Sequence, residues 1–221
     1  TLLPETLAKS DRQPLSIRSL AGSARLILGN QMFWGYVSIS ALSMAGLFAL
    51  LAAAPSILQA SMGVTPGRFG LLFGLIMVAN MSTATIGARI VVRVGVDRLI
   101  IVGSGIVTAA GIAMLIAAPF NNIPAFVLPA ALFMVGWALV FPNAAAGALS
   151  PFGKVAGTAS SLMGFLQQAV SAAVVFGLSF ATDGTQFPLA VAYTIMGVLM
   201  CIIYAAIIRA GRNKDDTPPS V

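Results

Sequence analysis

The side chains available for chemistry inside the apolar body of this sequence are neutral. Amides stand at Asn80, Asn143, Gln167 and Gln168, hydroxyls at Ser40, Ser43, Ser82, Thr83 and Thr85, and larger rings at Trp34, Tyr36, Trp137 and Phe141. No Asp, Glu, Lys or Arg falls in the middle of a long apolar run. An ionised group at the centre of a membrane helix costs about 2.5–3.5 kcal/mol, so one that occurs there usually serves ion or proton chemistry. This stretch of chain has no such relay. There is no histidine and one cysteine, Cys201. A Cys/His metal site and an intrachain disulfide are therefore excluded. No imidazole can activate a serine, and no carboxylate pair is placed to split water. The sequence reads as a non-enzyme without metal or cofactor. What neutral groups can do is bind. Amides in hydrocarbon need partners, so these four face either protein, as glue between helices, or a watered cavity.

Six apolar segments must position those groups. The chain is 58% hydrophobic and 8% charged over 221 residues, with a mean hydropathy of +0.97. A soluble domain carries about 25% charged residues to wet its surface, so the outer surface of this chain is lipid-facing. A bilayer core needs roughly 20 apolar residues per helix. Charge-free runs supply spans near 32–58, 69–88, 99–118, 125–146, 155–182 and 184–208. Pro119-Phe120-Asn121-Asn122-Ile123-Pro124 divides the third from the fourth by turn chemistry. Runs such as 112–120 and 198–203 do not alternate in polarity, which excludes a barrel. The expectation is an all-α membrane protein. Pro55 and Pro142 are each expected to end a long helix, and the glycines at 70, 74 and 103–111 to let backbones pack closely.

The net charge of +6 is a topology signal and does not point to nucleic acid. Lys9, Arg12, Arg18, Arg25, Arg89, Arg93, Arg98, Lys154, Arg209, Arg212 and Lys214 fall on one side of the predicted spans, and only Arg68 on the other. That bias places both termini in the cytoplasm. The organisation is then a polar segment over 1–30, a six-helix domain over 31–210 and a disordered tail over 211–221. Within the first segment, Leu15 to Ile27 is either an amphipathic stretch lying on the inner leaflet or, the favoured reading, a solvated linker. The chain starts at Thr1, so either an initiator methionine has been removed or the sequence is a piece of something longer. The first apolar run is too long for a signal peptide.

A weak repeat runs through the domain. Pro55-Ser56 precedes Gly67-Arg68 and Gly70, and Pro142-Asn143 precedes Gly153-Lys154 and Gly157, about 87 residues later and on the opposite side. Three helices followed by three inverted ones produce this pattern, as in many transporter halves.

The stretch 141–152, Phe-Pro-Asn-Ala-Ala-Ala-Gly-Ala-Leu-Ser-Pro-Phe, leads into 153–168, Gly-Lys-Val-Ala-Gly-Thr-Ala-Ser-Ser-Leu-Met-Gly-Phe-Leu-Gln-Gln. It resembles the tenth-to-eleventh helix region of bicyclomycin-resistance-type (Bcr/CflA) exporters of the major facilitator superfamily. Leu3-Pro4-Glu5-Thr6-Leu7 resembles their segment after the sixth helix. The resemblance covers the central loop and the last six of twelve helices. It implies one half of a major facilitator fold and a proton-coupled multidrug antiporter in the bacterial inner membrane, whose proton-handling carboxylates lie in the other half. The superfamily's Gly-x-x-x-Asp-Arg-x-Gly-Arg-Arg loop survives only as Ala88 to Asp97, with Val92 where the acid belongs. Arg93, Gly95 and Asp97 are its gating-loop candidates.

Under this reading the chain shapes a cavity for small amphiphilic drugs, with Tyr36, Ser40, Asn80, Trp137, Phe141, Asn143 and Gln167 as candidate lining. Its partners are the lipid bilayer and either the N-terminal half or a second copy of itself. The alternative is a six-helix membrane scaffold, or a half-transporter subunit active only as a dimer.

Overall fold

A computed structural model describes residues 17–181 and 183–209, the side chains at 17–20 and 209 excepted. These residues form helices without strands: α1 (Ile17–Leu28), α2 (Gln31–Pro55), α3 (Pro66–Val94), α4 (Val96–Ala117), α5 (Ile123–Leu149), α6 (Ala156–Ala181) and α7 (Phe187–Ile203). Apolar length qualifies α2 through α7 as spans. The continuous run Ile123–Ala181 holds two of them, because Phe152, at φ −112° and ψ 30°, breaks the helical path between α5 and α6. The expected six spans are therefore present. The tail at 211–221 and the segment Leu3–Leu7 lie outside the described residues.

Local chemistry explains most of the boundaries. Asn30 accepts from the Phe33 amide at 3.0 Å and starts α2. Asn122 accepts from the Ala125 amide at 2.9 Å and starts α5. Both satisfy donors that a helix start leaves without partners. Before α5, Asn121 turns the chain at φ 40°, as the proline–asparagine cluster requires. Pro66, Pro124 and Pro188 sit in first turns, where no amide donor is needed. Asp183 accepts from the hydroxyl and amide of Thr185 at 2.6 and 2.8 Å. Those two bonds hold its carboxyl below the usual range and delay α7 to Phe187, three residues later than the apolar pattern alone predicts.

Four expectations need correction. Pro142 does not end a helix: α5 continues through it to Leu149. Ending a helix in hydrocarbon leaves four carbonyls without donors, whereas continuing through Pro142 leaves one, that of Ala138; beside it Asn143 turns its amide back onto the Leu139 carbonyl at 2.7 Å. Residues 17–28, for which a linker was favoured, form a strongly amphipathic helix. Gly70 and Gly74 do not pack closely, since nothing lies within 4 Å of where their side chains would be. Pro55 is the last α-helical residue of α2 but does not end the helical path, which continues through it as a wider helix over Ser56–Ser61.

The packing is two-fold in pattern. α2 rests on α6 as α5 rests on α3, α2 meets α5 at the centre, and α4 meets α7 at the back. Exchanging the first three spans with the last three reproduces this set of neighbours, as inverted repeats require, although α4 packs on α5 far more extensively than its counterpart α7 packs on α2. The α4–α7 seam shows it at residue level. A methyl group on Gly111 would overlap the Thr194 backbone, and one on Gly197 would overlap that of Thr108. Thr108-x-x-Gly111 and Thr194-x-x-Gly197 are thus one motif used twice, each glycine receiving the other helix's threonine. At the centre, the Phe133 and Tyr193 rings stack at 4.0 Å. Phe133 lies against Gly46, whose carbonyl accepts from the Tyr193 hydroxyl at 3.3 Å.

Closely packed backbones make the seam intolerant of volume. Gly111→Ala is expected to destabilise the protein by about 1–3 kcal/mol through overpacking. Gly105→Ala, on the same helix but facing open space, is expected to be neutral or stabilising by up to ~1 kcal/mol. Unfolding of both variants in detergent checks the opposite signs.

Candidate functional site

Two helices are barely covered. α3 buries only Ile76 and Gly87 of its 29 residues, and α6 only Ala159, Gln167 and Ser171 of 26. Between them run α2 and α5, each in contact with both the core and one of these outer helices. The neutral polar and aromatic candidates fall on these four helices.

The structure groups them in pairs. Gln167 of α6, 6% exposed, donates from Nε2 to the Ser40 hydroxyl of α2 at 3.1 Å. Ser40 in turn donates to the Val37 carbonyl at 2.9 Å, and Ser171 to that of Gln167 at 2.6 Å. Asn80 of α3 donates to the Met134 carbonyl of α5 at 3.1 Å. These are bonds between helices, and they place one amide on each side of the α2–α5 centre. Trp137 and Phe141, one turn apart on α5, stack at 4.9 Å with planes 7° from parallel. Both are half-buried. The Trp137 Nε1 is buried and meets no acceptor among the described residues, an exception in a fold where buried donors are normally satisfied. Asn143 is bonded within its own helix.

Tyr36 has a different place from the other cavity candidates. Its ring packs against Gly147 of α5, where an added methyl would fall within 2.9 Å of it. Its hydroxyl donates to Asp97 Oδ1 at 2.8 Å. The residue predicted for the cavity and the residue predicted for the gating loop are thus bonded to each other. Asp97 lies in the first turn of α4 and Arg93 in the last turn of α3, so each charge complements its helix end. Gly95 joins them at φ 87°, a conformation that disfavours a side chain. A polar groove of about 400 Å³ opens beside this corner, lined by Val94, Gly95, Val96, Asp97, Arg98 and Tyr204.

Sequence spacing did not reveal the groove between α2 and α6. It measures about 500 Å³ and is walled by Phe48, Leu51, Ala52, Gln168, Ser171, Ala172 and Val175. None of the seven candidates lines it, although Gln167 and Ser40 form its neighbouring seam. Gln168 is its one amide. The alternation of Gln167 inward and Gln168 outward follows from adjacent helical positions lying 100° apart, but which of the two faces the core is not readable from the pair itself.

The sequence matches the Major Facilitator Superfamily over residues 2–175. The chain belongs to that superfamily. It is 27% identical over 172 residues to the bicyclomycin resistance protein homolog of Haemophilus influenzae, covering 77% of this chain and 43% of that protein. It is 30% identical over 190 residues to multidrug resistance protein D of Escherichia coli, covering 84% and 47%. Over 132 residues it is 28% identical to a chloramphenicol resistance protein of Pseudomonas aeruginosa, covering 59% and 32%. The chain spans about half the length, or less, of these relatives, and its six spans form one half of a major facilitator fold with the inverted three-plus-three arrangement.

The Tyr36–Asp97 bond couples α2 to the α3–α4 corner. Bonds to charged acceptors contribute about 1.5–3 kcal/mol, reduced here by partial exposure of Asp97. In a double-mutant cycle, Tyr36→Phe and Asp97→Ala are expected to show a coupling energy of about 1 kcal/mol. Additive losses in unfolding free energy would show that the bond carries no stability.

Proposed function

We propose that this chain forms the C-terminal half of a proton-coupled multidrug exporter in the bacterial inner membrane, with both termini cytoplasmic. The observation that carries this reading is the exposure of α3 and α6 on either side of a neutral, aromatic face. Gly70 and Gly74 of α3 and Gly157, Gly164 and Gly177 of α6 have open space before them, as do Leu71, Met81, Phe165 and Phe176. Such surfaces suit a second six-helix body packed by contact. The resistance proteins named above are about twice as long, and they support drugs as the transported class.

The chemistry of the face fits that class. Trp137 and Phe141 offer stacked rings, Asn80 supplies an amide dipole one turn away at Met134, and Gln167 backs the neighbouring seam through Ser40. Pockets with aromatic walls and few polar groups hold flat, amphiphilic molecules. No ionised side chain lies on the face, so proton coupling belongs to carboxylates of the complementary half. Tyr36 and Ser40 act from behind, as supports bonded to Asp97 and Gln167.

Trp137→Ala removes a stacking partner whose contribution is about 0.5–1.5 kcal/mol, or roughly 2- to 12-fold in affinity. In a full-length context, export by this variant, and by Gln167→Ala, is expected to fall accordingly at unchanged expression. Wild-type resistance in both would remove them from the binding face.

The complement is either an N-terminal half or a second copy inserted in the same orientation, since halves of this fold are related by an axis along the membrane normal. Where copies associate, the seam is formed by α2, α3, α5 and α6. Cysteines introduced at Met81 and Phe165 are expected to crosslink between copies, whereas one at Ile116 on α4 is not. Crosslinking confined to α4 and α7 would contradict the arrangement.

A further inference from the structure

We propose that the outward face of α1, together with Lys154, binds the headgroups of anionic lipids in the leaflet at that end of the protein. The proposal is independent of transport and of what covers α3 and α6.

α1 turns Ile27 inward, fully buried against the bundle, and leaves Ala21, Gly22, Arg25, Leu26 and Leu28 exposed. At 100° per residue, Leu26 and Leu28 flank Arg25 on that outward face. Leu26 is 62% and Leu28 41% exposed. A cation between two bare leucines suits neither water nor hydrocarbon. It suits the boundary, where leucines enter the acyl region and the guanidinium meets phosphate.

The helix is held at that level. Trp34, the fourth residue of α2, donates from its indole nitrogen to the Leu28 carbonyl at 2.8 Å. This bond satisfies a carbonyl that the end of α1 leaves open. The same indole is 38% exposed, and tryptophan concentrates at the headgroup level. α1 also contacts α6. Beside this contact, Phe33 meets Phe152 edge-on at 5.7 Å, and Lys154 follows two residues later in the bend that enters α6. Arg25 and Lys154 are both exposed.

Charge completes the case. The described residues hold two carboxylates, Asp97 and Asp183. Asp183 lies in the loop joining α6 to α7, at the opposite end, and Asp97 accepts from Tyr36. Among the described residues, the basic groups at this end therefore outnumber the acids. An anionic surface attracts such side chains, each by about a fivefold change in affinity.

The test uses the full chain carrying Trp137→Phe, so that Trp34 is the sole tryptophan. It is reconstituted in vesicles of phosphatidylcholine and phosphatidylglycerol with bromine on the chains of one lipid or the other. At equal mole fraction, brominated phosphatidylglycerol is expected to quench Trp34 severalfold more strongly than brominated phosphatidylcholine. Arg25→Gln with Lys154→Gln is expected to bring the two lipids to parity, while Arg25→Lys retains the preference, as does Arg68→Gln at the opposite end. Equal quenching in the starting chain overturns the proposal, as does a preference that survives the double substitution. Should Trp137→Phe fail to fold, the unfolding midpoint of the unaltered chain in nanodiscs decides. A higher midpoint in phosphatidylglycerol, lost on Arg25→Gln/Lys154→Gln, supports the site, and identical midpoints in both lipids overturn it.

Discussion

Hydrocarbon offers a backbone no hydrogen-bond partner, and every other feature of this fold is arranged around that fact. Helices answer it within each span. Their ends do not, and the ends are where this chain places its specific chemistry. Asn30 and Asn122 cap helix starts, the Trp34 indole closes the end of α1, and Asp97 stands in the first turn of α4. Inside the spans the same constraint removes ionised groups and turns hydroxyls back on their own helices, as at Thr83, Thr85, Thr108 and Thr194. The few side chains that bond across helices, Gln167 to Ser40, Asn80 to Met134, Tyr193 to Gly46 and Tyr36 to Asp97, consequently stand out.

Association in lipid gains nothing from squeezing out water, so it rests on contact. That is why the glycines divide into two sets. Gly103 and Gly136 each press on the other's carbonyl, and Gly111 and Gly197 each receive a threonine backbone. α4, α5 and α7 are thereby locked into a dense back. The glycines of α3 and α6, apart from Gly87 against Leu139, face open space within this chain. The asymmetry between a sealed back and an open front is a consequence of where small residues sit, and only its α4–α7 part, Gly111 and Gly197, is shared equally by the two three-helix repeats.

How much of this was legible beforehand depends on the range of the interaction. Span count and the turn at Pro119–Pro124 follow from local composition, and both stand. The repeat was legible from Pro55 and Pro142, although the better marker is Thr108-x-x-Gly111 against Thr194-x-x-Gly197, whose meaning appears only when the helices meet. Pro142 does not end its helix because, in lipid, one carbonyl without its helical donor costs less than the four a helix end would leave. α1 was under-read because twelve residues with little net hydrophobicity resemble a linker until something caps them, and the cap comes from Trp34, six residues further on. Among the site candidates, residue type identified the amides and rings, whereas partner identity was invisible. Nothing in the spacing of Tyr36 and Asp97, 61 residues apart, joins a cavity candidate to a gating-loop candidate.

The neutrality of the front face has a consequence for selectivity. A site lined by rings and amide dipoles discriminates by shape and by the placement of acceptors, and it offers a cation only the face of Trp137 or Phe141. Desolvating a full positive charge against such a wall is unfavourable unless a carboxylate stands opposite. In an exporter assembled from two unlike halves, the carboxylates of the second half would then titrate and neutralise while this half supplied a constant surface. Two copies of this chain alone would present neutral walls on both sides. Under the proposed function, such a dimer would have no ionisable group at that face through which a proton gradient could act.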